Sequence, residues 1–182
     1  MSSSEPDRLV PPVTPHEHCQ GNLMATVTLV QYGDYQCPGS GLAHRIVPLI
    51  QQLLGAELHF VFRHFPQPEI HPEAYHAAEA AEAAASQGKF WEMHNHLFRH
   101  QSRLADSYLV EYAIALCLDV NQFLAEMASD CHTPRIQADI KSGIQSGVIT
   151  TPTFFINGLK YNDAQSLEGL LEAVVRISQN ER

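Results

Sequence analysis

The chain has 182 residues, enough for one domain with an insertion, and 45% hydrophobic against 17% charged residues supplies material for a sizeable core. A formal net charge of −9 and a pI of about 5.6 argue against nucleic acid or an anionic membrane as the main partner. No apolar run approaches the roughly 20 residues that span a bilayer. The start, Met1 to Asp7, lacks the basic and apolar parts of a signal peptide, so a cytoplasmic protein is expected.

Residues 1–22 carry four prolines and no periodicity, and read as an extended N-terminal arm before a domain over 23–182. Residues 25–32 are the first expected strand, with Val27 and Leu29 buried. The stretch from Gln31 to Gly41 links it to a helix whose buried face is expected to carry Leu42, Ile46, Leu49, Ile50 and Leu53. Pro48 should kink that helix and Gly55 should end it. Leu58 to Phe62 is the second strand, so strand–helix–strand with parallel pairing and a right-handed crossover is expected. From 72 to 147 the pattern is helical throughout, beginning with the alanine-rich segment from Ala74 to Ala85. Such a block cannot extend the sheet and reads as an inserted helical subdomain. The sheet resumes at Thr151, where a proline opening a strand marks a cis peptide or a kept-open edge. Asn157-Gly158 between apolar runs signals a type I′ hairpin, and Ser166 is placed to cap a terminal helix.

One position in this layout carries chemistry. Cys37 stands at a strand-to-helix turn with Pro38 behind it, and proline suits the first helical position. A sulfur at a helix N-terminus faces free N–H groups and the positive dipole end, which favour the thiolate, the form that attacks disulfides. A Cys-x-x-Cys motif would carry a resolving thiol three residues on, and here that residue is Ser40. Cys19, Cys117 and Cys131 show no paired spacing. Cys117 lies in an apolar helical segment and is expected in the core, while Cys131 is expected near the surface. Asp34 reads as a turn or capping residue, Trp91 as core, and His64 either as a neighbour of the redox turn or as a plain strand-end residue. His96 and His100 have the spacing of two ligands on one helix face, but no further ligands at local spacing, so no metal is expected.

The order Tyr32-Gly33-Asp34-Tyr35-Gln36-Cys37-Pro38, then a helical block with Phe90-Trp91-Glu92-Met93-His94, then Gly147-Val148-Ile149-Thr150-Thr151-Pro152-Thr153-Phe154-Phe155-Ile156-Asn157-Gly158, resembles the DsbA-like branch of the thioredoxin superfamily. It is also similar to the thioredoxin-like domain carried by some sodium/proton antiporters. The likeness runs over about residues 18–178. It implies an α/β thioredoxin fold with an inserted all-helical subdomain. It also implies a thiol–disulfide oxidoreductase acting on protein or small-molecule thiols and disulfides. By position, Cys37 matches the nucleophile, Pro38 follows it in the motif, and Ser40 stands where the resolving thiol would be. Thr151 and Pro152 match the cis-proline pair that faces the sulfur and offers backbone groups to an extended peptide. Ser40 departs from the family pattern, so a mixed disulfide on Cys37 would need an external thiol such as glutathione as co-substrate. The alternative is a non-catalytic peptide-binding or redox-sensing module of the same fold.

Overall fold

Strands that are buried at nearly every position need cover on both faces, and two such strands lie side by side inside the sheet. In the computed structural model, which describes residues 8–162 and 167–180, the strands are His18–Gly21 (β1), Val27–Gly33 (β2), Leu58–His64 (β3), Thr153–Ile156 (β4) and Leu159–Lys160 (β5). They form one sheet in the order β1-β3-β2-β4-β5, with β2 and β3 both almost wholly buried. The pairs β1–β3, β2–β4 and β4–β5 are antiparallel. Between β2 and β3 runs the helix Pro38–Leu54 (α1), as a strand–helix–strand unit requires.

Five helices follow β3: Ala74–Ala85 (α2), Phe90–Arg99 (α3), Asp106–Ala115 (α4), Val120–Ala128 (α5) and Thr133–Gln145 (α6), with no strand between them among the described residues. Leu167–Asn180 (α7) closes the chain, and the cap expected from Ser166 lies outside the described residues. No helix among the described residues is long and apolar enough to cross a membrane.

By its contacts the chain divides into two units. The first takes Met1–Gly33, Leu42–Arg63 and Lys141–Arg182, and the second takes Asp34–Gly41 and His64–Ile140. The first unit is built on the sheet, with α7 against β2. Its hairpin turn is of the expected kind, with Asn157 and Gly158 at φ 49° and 78°. Asn157 also anchors the turn to β2, since its Oδ1 accepts the Thr28 N–H at 2.8 Å. In the second unit α2 is the hub and contacts α3, α4 and α5. Its alanines permit that, because a helix surrounded on most sides has room only for small side chains.

Three expectations are corrected. The buried face of α1 is Ala43, Val47 and Ile50, whereas Leu42, Leu49 and Leu53 are exposed. The helical period was right, but large apolar residues lie on the exposed side of α1 as well, so size did not mark the inner face. Within the stretch taken as an arm, His18–Gly21 forms β1 against β3, and Arg8 bridges to Leu159. The Arg63 guanidinium fastens that stretch by bonds to Glu17 at 2.7 and 2.8 Å and to the Pro11 carbonyl at 3.2 Å. Finally, Cys117 is exposed and sits at φ 56° just past α4, where the chain leaves the helix; Leu118 is the buried residue there.

Candidate active site

The site grows from the first turn of α1. Pro38 is its first residue, and Cys37, 8% exposed, immediately precedes it. A proline loses nothing in that place, where the backbone N–H has no helical acceptor. Cys37 is held from both sides. Its N–H donates to the Asp34 carbonyl at 3.2 Å and to Asp34 Oδ1 at 3.1 Å. Its carbonyl accepts from the Gly41 N–H at 3.1 Å and from Gln101 Nε2 at 2.8 Å.

Asp34 is fully buried and organises the turn. Besides Cys37, its Oδ1 accepts the Gln36 N–H at 2.8 Å, and its Oδ2 accepts the Gln67 N–H and His71 Nδ1–H, both at 2.9 Å. This is the turn-and-capping role read from its place three residues before Cys37. Ser40, also fully buried, accepts the Asp34 N–H on its Oγ at 3.2 Å. The position where a second thiol would sit is therefore occupied by a hydroxyl that closes the turn.

Gln101 is the residue the sequence did not disclose. From the turn just past α3 its Nε2 donates to the carbonyls of both Tyr35 and Cys37 at 2.8 Å. A Cβ on Gly41 would meet Gln101 Oε1 at 2.0 Å, so the glycine leaves room for this clamp. Sixty-odd residues separate the partners and nothing local marks the glutamine. His71 was missed for the same reason.

Behind the turn lies an aromatic bed. The Tyr35 hydroxyl meets His94 Nδ1 at 3.0 Å, and its ring lies 4.8 Å from Phe98 and 5.9 Å from His64. Burial, and then the Glu82 carboxylate, push the Tyr35 phenol well above its usual range, so it stays neutral. His64 thus reaches the Cys37 turn through Tyr35, while its Nε2 pairs with Glu82 Oε1 at 2.8 Å. Trp91 is half-buried, edge-on to Phe90 and His94. His96 and His100 stack at 5.6 Å, with His100 Nδ1–H donating to the His96 carbonyl.

The expected site residues fall in two groups. Cys37, Pro38 and Ser40 share the turn in the second unit. Thr151 and Pro152 belong to the first unit, leading into β4, and the peptide bond between them is cis. Cys19 lies in β1, and Cys131, like Cys117, is exposed.

The family model described as Thioredoxin matches residues 13–176. The chain belongs to the thioredoxin family. This thioredoxin-family chain is 41% identical over 170 residues to the Na(+)/H(+) antiporter NhaA 1 of Salinispora arenicola, and 37% identical over 169 residues to the Na(+)/H(+) antiporter NhaA of Herminiimonas arsenicoxydans. Those matches cover 92% and 91% of the chain but only 26% and 27% of the relatives, so it spans about a quarter of their length. Among solved structures it is similar to BdbD from Bacillus subtilis, with a TM-score of 0.78 at 19% identity over 90% of this chain and 93% of the other. The Wolbachia pipientis alpha-DsbA1 gives 0.79 at 20% identity, covering 94% and 95%. The fold is therefore the thioredoxin fold of DsbA-like oxidoreductases, with the inserted helical subdomain that the sequence implied.

Proposed function

We propose that this chain is a single-cysteine thiol–disulfide oxidoreductase acting through Cys37. The observation that carries the reading is the turn itself: one cysteine directly before the first helical residue, fixed by four hydrogen bonds, with a turn-closing serine at the resolving position. The Cys37 thiolate attacks one sulfur of a mixed disulfide, a new S–S bond forms to Cys37, and the other sulfur leaves as a thiolate that takes a proton from water. A second thiol, glutathione by chemical class, loses its proton to water and attacks the sulfur held on Cys37; a new S–S bond joins those two sulfurs in the released disulfide, and Cys37 leaves as the enzyme thiolate. No internal sulfur at position 40 competes for this step. Glutathione as co-substrate goes with a reducing, cytoplasmic setting. Thr151 and Pro152 bind an extended substrate peptide through their backbone groups in this reading.

Mass spectrometry after equilibration in a glutathione buffer tests it. We expect one glutathione on Cys37, none at that site in Cys37→Ser, and glutathione-dependent turnover of a mixed-disulfide peptide by the wild type alone. A folded wild type that acquires no adduct at Cys37 would overturn the reading. The likeness to the NhaA antiporters favours a second one, in which the chain is the redox-sensing or peptide-binding portion of a sodium/proton antiporter. Adduct formation without turnover, or peptide binding retained in Cys37→Ser, would select it.

A further inference from the structure

Outside the redox turn, a second set of chemistry-bearing side chains meets where α5 passes into α6. Cys131 and His132 are neighbours in that turn, which Asp130 enters at φ 50° and which the Thr133 N–H closes on the Asp130 carbonyl at 3.0 Å. Glu126 reaches it from α5. Its Oε2 lies 2.8 Å from His132 Nε2, and its carbonyl lies 3.7 Å from Cys131 Sγ. A sulfur, an imidazole nitrogen and a carboxylate oxygen from these three residues all lie within 4.8 Å of one another.

We propose that Glu126, Cys131 and His132 form a binding site for a thiophilic divalent cation, with zinc the ion that fits. The donors decide the class: thiolate and imidazole with one carboxylate suit zinc, whereas calcium and magnesium take oxygen throughout. The carboxylate is already positioned. Gln122 Nε2 donates to Glu126 Oε1 at 2.8 Å and Ser86 Oγ donates to Oε2 at 2.8 Å, the kind of outer support that fixes ligands in zinc sites. The site is also reachable, since Cys131 is exposed and the side chains of His132 and Glu126 are 18% and 19% exposed.

Zinc would take the place of the proton that His132 and Glu126 now share. Two bonds of about 2.0–2.1 Å at a tetrahedral angle need the nitrogen and oxygen about 3.3 Å apart, roughly half an ångström wider than now. The ion binds thiolate, neutral imidazole and carboxylate, with water in the fourth place. The Cys131 thiol proton goes to solvent; the His132 Nε2 proton moves to Nδ1 where the ring is neutral, or to solvent where Nδ1 already carries one, and no electrons move. Loading ties the end of α5 to the start of α6 and withdraws Cys131 from thiol chemistry, independently of Cys37.

Cobalt titration of the full chain tests the ligand set, because a thiolate-to-cobalt charge-transfer band reports sulfur ligation. We expect one equivalent to bind and zinc to displace it. The band should vanish in Cys131→Ser, persist in Cys37→Ser, and require about tenfold more metal in Gln122→Ala. A band that survives Cys131→Ser, or that is lost in Cys37→Ser, overturns the proposal. A second readout needs no variant: saturating zinc should slow alkylation of Cys131 by iodoacetamide at least tenfold while leaving exposed Cys117 unaffected. Equal slowing at both, or at neither, also overturns it.

Discussion

At Ser40 one oxygen atom separates this chain from a Cys-x-x-Cys protein, and that oxygen is in use. Ser40→Cys would bring a second sulfur onto the first helical turn, within bridging reach of Cys37, but would replace a good acceptor of the Asp34 N–H by a poor one. We expect it to raise insulin reduction by a dithiol well above wild type and to cost about 1 kcal/mol in urea denaturation. Wild type matching the variant in that assay would mean that another cysteine resolves the disulfide. Gln101→Ala would strip one donor from two carbonyls of the turn. It should lose about 1–2 kcal/mol and slow glutathione addition to Cys37; unchanged addition would show the clamp to be dispensable. The contrast between Asp34 and Gln101 shows what was legible here. Asp34 could be read because turn carboxylates bond the backbone two and three residues on. Gln101 could not, because its effect depends on where α3 ends in space and on the missing side chain of Gly41.

Helices of the second unit show how far local rules carry at the element scale. Their existence followed from composition and period, since breaks such as Gln87-Gly88 are covalent facts of the sequence. Their buried polar pairs did not, because each depends on a partner in another element. Asp119 is the local case: it caps α5 by accepting the Gln122 N–H at 3.0 Å. Asp119→Ala should cost about 1 kcal/mol, seen as a lower urea midpoint with an unchanged slope. Asp139 on α6 is the non-local one. Its Oδ2 accepts the His64 N–H at 3.0 Å, its Oδ1 lies 3.8 Å from Arg135, and the Glu82 carboxylate lies in the same cluster. Burial pushes its carboxyl above the usual range despite the lowering influence of His64 and Arg135. An acid whose folded value is raised holds its proton more tightly in the native state. Its contribution is therefore greatest at low pH and declines as pH rises from about 3.9, the unfolded value, through the folded one. Asp139→Asn should remove that decline. Urea midpoints of variant and wild type that run parallel from pH 4 upward would refute it.

For the whole molecule, the decisive buried ion pair is Arg63 with Glu17. Arg63 also donates to the Tyr32 hydroxyl at 2.8 Å and the Ser142 hydroxyl at 2.9 Å, so one side chain joins the N-terminal stretch, β2, β3 and α6. Arg63→Met leaves Glu17 buried without its cation and should cost about 3–5 kcal/mol. Limited proteolysis should then cut within residues 9–17 faster than in wild type, and an unchanged rate would dismiss the strap. The thioredoxin plan itself was legible because its motifs are ordered along the chain. The strap was not, since a lone arginine at a strand end gives no hint of a glutamate so far back. The sheet's rims carry a further consequence. The β1 rim has four residues and β5 only two, with Arg8 bridging to Leu159. A long open strand border is a template on which neighbouring chains can stack into fibres. Rims this short offer few rungs to copy, so fibre growth by strand stacking should have to wait for unfolding.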